Sequence, residues 1–217
     1  MHFEKIFNIL LRHFGVQGWW HADSNFEICA GIILVQRTTW INADKAIYNL
    51  KKKKSLNPQK IISVASKKLE SALRSAGFYK QKAKYLKNFA RYYLKKGAGR
   101  NDFWHKFTVD EIRKELLEIE GIGPESADSI LLYAADKPVF IADAYTKRIL
   151  IRIGIIDKNY TFSDIKSLVQ REIKPNLSNV KDYKELHALL VELAKQFCKT
   201  KPICEACPLK RNCKKFI

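Results

Sequence analysis

Leu117-Glu118-Ile119-Glu120-Gly121-Ile122-Gly123-Pro124-Glu125-Ser126-Ala127-Asp128-Ser129-Ile130 is the stretch on which the fold turns. Upstream of it, Thr108-Val109-Asp110-Glu111 has the pattern of a capping box and opens a helix through Leu116, Leu117 and Ile119. Downstream, Pro124 suits the first turn of a second helix, which carries Ile130, Leu131 and Leu132. Between the two, Gly121 and Gly123 allow a tight turn with no side chain to cover it. Bare backbone N–H groups and the N-terminus of the second helix then face outward, a surface that holds a phosphate.

Working outward, helical periodicity continues in both directions. Phe3, Phe7, Leu10, Leu11 and Phe14 share one face of an opening helix that stops at Gly15. Residues from Phe26 to Val35 are almost continuously apolar and then turn polar at Gln36-Arg37-Thr38-Thr39, as a buried helix ending at a functional surface does. Helices are expected from Asn42 to Leu50, Pro58 to Ala65, Lys67 to Ala76 and Gln81 to Lys95, the last closed by Gly97 and Gly99. After the break at Asp136-Lys137-Pro138, more follow at Ala144 to Ile153, Asp164 to Ile173 and Tyr183 to Phe197. Strand signals are nearly absent and no solenoid repeat occurs, so the fold class is all-α.

The 217 residues are 47% hydrophobic, enough for a sizeable core, and disorder is excluded. Lys and Arg number 40 against 22 Asp and Glu, a net charge of +18 that calls for a polyanionic partner, nucleic acid before membrane surface. No apolar run is long enough to span a bilayer, and Met1-His2-Phe3-Glu4-Lys5 is not ordered like a signal peptide. A soluble, cytoplasmic protein is expected. In a reducing compartment its five cysteines are not read as disulfides.

Cys198, Cys204, Cys207 and Cys213 form C-x5-C-x2-C-x5-C, which fits a [4Fe–4S] cluster or a tetrahedral zinc site. Lys199, Lys201, Lys210, Arg211, Lys214 and Lys215 interleave with them, so a bound metal would staple a loop that turns cations toward phosphates. Cys29 is read as a core residue, and the basic run Lys51 to Lys54 as a solvated loop more than a phosphate contact. Val139-Phe140-Ile141-Ala142-Asp143 delivers a carboxylate from an apolar segment to the start of a helix, with Thr146 beside it. Such an Asp is most often an N-cap.

Ile33-Leu34-Val35-Gln36, the Leu117 to Gly123 segment, Asp143 and the four-cysteine tail, in that order, resemble the endonuclease III superfamily of helix-hairpin-helix DNA glycosylases. The resemblance implies a two-domain fold, with a six-helix domain over residues 22–135 containing the hairpin. Residues 1–21 and 136–217 would form a discontinuous domain with a [4Fe–4S] cluster on Cys198, Cys204, Cys207 and Cys213. It further implies a monomer that acts on double-stranded DNA and flips a damaged base into the cleft between the domains. Asp143 falls on the catalytic carboxylate and Gln36 on the glutamine that projects into DNA. Gly121, Gly123, Lys147, Lys210 and Arg211 complete the expected DNA contacts.

One position departs from the bifunctional members, which carry a lysine four residues after the first hairpin glycine; here that residue is Glu125. Without an amine no Schiff base forms there, and water becomes the nucleophile of a monofunctional glycosylase. Trp19-Trp20, Trp40 and Gly121-Ile122-Gly123-x-Glu125-Ser126-Ala127-Asp128 are similar to the 3-methyladenine glycosylase branch. That similarity implies that Trp19 or Trp20 and Trp40 sandwich an alkylated purine, with Glu125 lining the pocket. The rival expectations are a bifunctional glycosylase/AP lyase, a uracil or thymine mismatch glycosylase, and a non-catalytic DNA-binding module.

Overall fold

The computed structural model describes residues 2–97, 103–173 and 179–214. Among them, regular structure is entirely helical: α1 Phe3–Phe14, α2 Asn25–Val35, α3 Trp40–Lys52, α4 Pro58–Ser63, α5 Ser66–Ala72, α6 Tyr79–Lys95, α7 Val109–Leu117, α8 Pro124–Tyr133, α9 Ala144–Ile153, α10 Phe162–Glu172 and α11 Val180–Gln196. Short 3-10 turns lie at Arg74–Ala76, Phe103–His105 and Lys210–Asn212. Gly99 and Lys215 lie outside the described residues.

Side-chain caps explain most of the helix starts. The Ser24, Thr39, Asn57 and Asn179 side chains accept from the third residue of α2, α3, α4 and α11. The Thr39 cap moves the start of α3 to Trp40, two residues before its expected start, and Asn179 starts α11 three residues early. Reciprocal capping boxes open α7 at Thr108–Glu111 and α10 at Thr161–Asp164. Extended backbone at Val64 and Ala65 divides α4 from α5. Gly77 and Phe78 both adopt positive φ, 66° and 46°, so the chain reverses there and α6 starts at Tyr79.

The chain divides into two compact units, Trp20–Lys137 and Met1–Trp19 with Pro138–Ile217. In the first, α2 is buried along nearly its whole length, from Phe26 to Leu34, and α3, α6 and α8 pack around it. Such a helix reads as one apolar run with no polar face, which is how Phe26 to Val35 looks in the sequence. Among its described residues this unit holds seven α-helices, α2 to α8, with α4 and α5 separate as the helical periodicity has them, while the family resemblance implies a six-helix domain. Lys51 forms ion pairs with Glu27 (2.5 Å) and Asp23 (3.1 Å), so one member of the basic run ties α3 to the start of α2. In the second unit α11 packs against α1 and α9, burying Phe3, Ile6, Phe7 and Leu10 of α1 and Leu186, Leu189, Leu190 and Leu193 of its own. No described helix is long and apolar enough to cross a membrane.

Candidate nucleic-acid interface and active site

In the hairpin, α7 and α8 are locked by the ion pair of Arg113 with the buried Asp128 (2.8 Å). α7 ends at Leu117, and the Ile122 amide donates to the Ile119 carbonyl (2.9 Å) to close the turn. Gly121 sits at φ 99°, and a Cβ there would lie 2.1 Å from the Tyr85 ring. Glycine is therefore required twice over, by backbone angle and by the ring of α6 beneath it. Gly123 has open space in front of it and caps α8 with no side chain, while Pro124 fills the first helical position. The start of α8 therefore carries no side-chain cap of its own.

Gln36 lines the groove beside the hairpin. Its amide donates to the Gly121 carbonyl (2.9 Å) and the Ser126 hydroxyl (3.0 Å), because the turn at the end of α2 lies directly against the hairpin. The side chain thus braces the hairpin turn. The residues that face outward around it are Arg37, exposed and held at φ 54°, and Phe78, 58% exposed. Together with Gln81, Tyr85, Gly123 and Glu125 they line an open groove of about 650 Å³.

Lys82 had no place in the sequence reading, yet it sets this surface. Its ammonium is buried and donates to the carbonyls of Leu34 (2.9 Å) and Ala76 (2.7 Å), pinning the end of α2 to the turn before Phe78. Burial lowers its pKa to about 8. A signal was present, since Lys82, Leu86, Phe89 and Tyr93 follow the buried face of α6.

Trp20, Trp40 and Tyr133 form an aromatic cluster over Gly31. Trp20 meets Trp40 edge-on with centroids 4.4 Å apart and Tyr133 at 5.4 Å, and a Cβ on Gly31 would come within 2.8 Å of the Trp20 ring. The two indoles touch, so no slot for a planar base is preformed between them, and one ring must move before a base can stack there. Trp20 holds φ 71°, a costly backbone state for so bulky a residue. Trp40, 42% exposed, is the freer of the two.

Asp143 lies in the second unit and is both buried and the N-cap of α9. Oδ1 accepts from the Thr146 amide (2.7 Å), so the common structural role is filled. Oδ2 faces Nε2 of His187 on α11 at 3.8 Å. Burial pushes the carboxyl up, but His187 and the Thr146 amide more than offset this and hold it below the usual carboxylate range. The Thr146 side chain is fully buried beside the carboxylate. His187 went unread in the sequence. Trp19 does not join Trp20: its ring stands edge-on to His187 (6.1 Å, 89°) with the Lys195 ammonium over it at 4.9 Å. Lys147 donates to the Tyr160 carbonyl (2.6 Å).

At the other end of α9, Arg148 Nε donates to the Cys198 carbonyl (2.8 Å), and Arg152 reaches Cys198 Sγ (3.4 Å) and the carbonyls of Lys199 (2.5 Å) and Thr200 (2.9 Å). Cys213 Sγ donates back to the Arg152 carbonyl (3.2 Å). Cys198, Cys204, Cys207 and Cys213 line one small, mostly apolar pocket, and burial pushes the Cys207 thiol up. Among the described residues no three His, Cys, Asp or Glu side chains are placed to hold a single metal ion. Four thiols around one pocket fit a polynuclear cluster, in which each ligand takes a different iron. Lys210 pairs with Glu205, and Arg211 is exposed.

A bare hairpin turn, an open groove beside it and a buried carboxylate on an all-helical frame define a base excision scaffold. The chain belongs to the HhH-GPD superfamily of base excision DNA repair proteins, matched over residues 30–175, and at that level it is a DNA glycosylase. It is 43% identical over 211 residues to a protein of Methanocaldococcus jannaschii assigned as a DNA repair glycosylase, covering 96% of this chain and 94% of that one. Among solved structures it is similar to the H. pylori 3-methyladenine DNA glycosylase bound to 1,N6-ethenoadenine, with a TM-score of 0.76 and 28% identity over 90% of this chain and 98% of that one. An endonuclease III–DNA complex, at a TM-score of 0.81 and 21% identity over 99% and 96% of the two chains, shares the fold.

Proposed function

We propose that this glycosylase hydrolyses the N-glycosidic bond of an alkylated purine in duplex DNA and leaves the abasic strand intact. The observation that carries the reading is Glu125: the hairpin groove offers a carboxylate where a lyase needs an amine. Lys147 is taken by the Tyr160 carbonyl and Lys82 by two carbonyls, so neither ammonium stands ready as a nucleophile. Asp143, kept ionised, stabilises the positive charge that develops on the sugar as the base departs and orients the attacking water. An alkylated purine is itself cationic and stacks on electron-rich indole faces, which Trp20 and Trp40 supply once they part. The likeness to a 3-methyladenine glycosylase supports that choice of base.

Arg37, the hairpin amides, Lys210 and Arg211 hold the backbone phosphates of the duplex, and the enzyme works as a cytoplasmic monomer. Cys198, Cys204, Cys207 and Cys213 hold a [4Fe–4S] cluster, which acts as a structural staple for the basic loop. Protein purified without oxygen should contain iron and absorb broadly in the visible; a colourless protein with stoichiometric zinc overturns this assignment.

A duplex methylated with dimethyl sulfate, together with uracil, G·T and 8-oxoguanine duplexes, tests the substrate. Release of 3-methyladenine with no nick until alkali is added is expected. Prompt nicking with a borohydride-trapped adduct would establish a lyase and direct attention to Lys82 and Lys147. Preferential release of uracil or thymine would establish a mismatch enzyme.

A further inference from the structure

Asp143 has two oxygens and the fold uses them differently. Oδ1 is spent on the α9 cap, which leaves Oδ2 for chemistry, and the group that faces Oδ2 is His187. Both side chains are almost enclosed, at 10% and 11% exposure, so water screens their interaction poorly. The imidazole is in turn set by its own surroundings. Trp19 stands perpendicular to it, the Lys195 ammonium lies over the Trp19 ring, and Glu185 accepts from the amides of Gln17 (2.6 Å) and Gly18 (3.4 Å), fixing the loop from which Trp19 springs. One helix, α11, thus anchors the tryptophan loop through Glu185 and meets the carboxylate through His187.

We infer that His187 is a positioning residue for base excision, fixing the free oxygen of Asp143, and that Trp19 serves as the wall that sets the imidazole plane. The inference rests on Asp143 as the excision carboxylate. Among charged groups on the helices that carry the pair, Lys147 turns to Tyr160 and Arg148 to Cys198 on α9, and Glu185 of α11 is taken by the loop. Through hydrogen bonding and charge this neighbour opposes protonation of the carboxylate where burial alone would promote it. Removing it should move the acid limb of the reaction upward.

The test is the pH profile of single-turnover release of 3-methyladenine from dimethyl sulfate-treated duplex, for the wild type, His187→Phe and His187→Gln. Wild-type activity should hold as pH falls through the usual carboxylate range. In His187→Phe the acid limb should rise by about one pH unit or more, with the rate near pH 8 within a few-fold of wild type; His187→Gln should lie between. Profiles that drop equally at every pH would reduce His187 to packing and overturn the inference. A second arm needs no substrate: thermal unfolding of the wild type, Asp143→Asn, His187→Phe and the double variant from pH 2 to 8. A depressed carboxyl stabilises the fold above its unfolded pKa and loses that contribution as pH falls through its folded value, so the two substitutions should be non-additive near neutrality and additive in strong acid. Additivity throughout overturns the pair. Failure of the wild type to release 3-methyladenine would count against the proposed substrate alone, since unfolding still reads the pair.

Discussion

Two helix N-termini carry the proposed chemistry of this protein, and they are built in opposite ways. α8 opens with Gly123, which has no side chain to cap it, and with Pro124, which has no amide to satisfy. α9 opens with Asp143, whose own carboxylate occupies the amide of Thr146. The first end has no side chain of its own to cap it; the second is plugged by its own carboxylate, with one oxygen left over. On the proposed function, one kind of local feature, the start of a helix, serves as a DNA grip in one unit and as a catalytic charge in the other.

Substitutions at the two ends should separate these roles. The largest effect is expected from Asp143→Asn, which keeps an oxygen for the cap and removes the charge. Base release should fall on the order of 10²–10³-fold while duplex affinity stays within a few-fold in a binding titration. Undiminished turnover would mean the carboxylate only caps. At the open end, Gly121→Ala must push a Cβ into the Tyr85 ring at a positive φ, and urea unfolding should report a loss of about 2–3 kcal/mol, with weakened duplex binding. Trp40→Ala should cost about 1–3 kcal/mol in excision of a cationic base and less for uracil, with circular dichroism unchanged. An equal loss on every base would assign Trp40 to packing. The smallest effect belongs to Gly123→Ala, where a methyl meets nothing: stability should change by less than about 0.5 kcal/mol. A large loss there would show that the open end depends on more than bare backbone.

The open end was legible in the sequence because its information is local. Two glycines, a proline and a capping box within a short stretch specify turn, helix and exposed amides together. Asp143 was legible as the cap at the end of an apolar segment. Its partner was not, because His187 is a single histidine on an amphipathic helix and only the packing of α9 on α11 brings it to the carboxylate. Gln36 was legible as the polar end of α2, but its bonds to the hairpin were not, since a side chain just beyond a helix follows its tertiary neighbours and no periodicity fixes it. Trp19 and Trp20 were read as a pair; the backbone turns between them, and each joins a different unit.

The discontinuous unit also has a consequence for synthesis. α1 emerges from the ribosome early and covers its apolar face with α11, which begins at Val180. At about 5–20 residues per second, Phe3, Ile6, Phe7 and Leu10 wait roughly ten to thirty seconds for their partner, while α2 to α8 already have all of theirs. The nascent chain therefore passes through a state with one finished unit and one orphaned amphipathic helix. That helix, rather than the buried α2, is where a chaperone would find its handle.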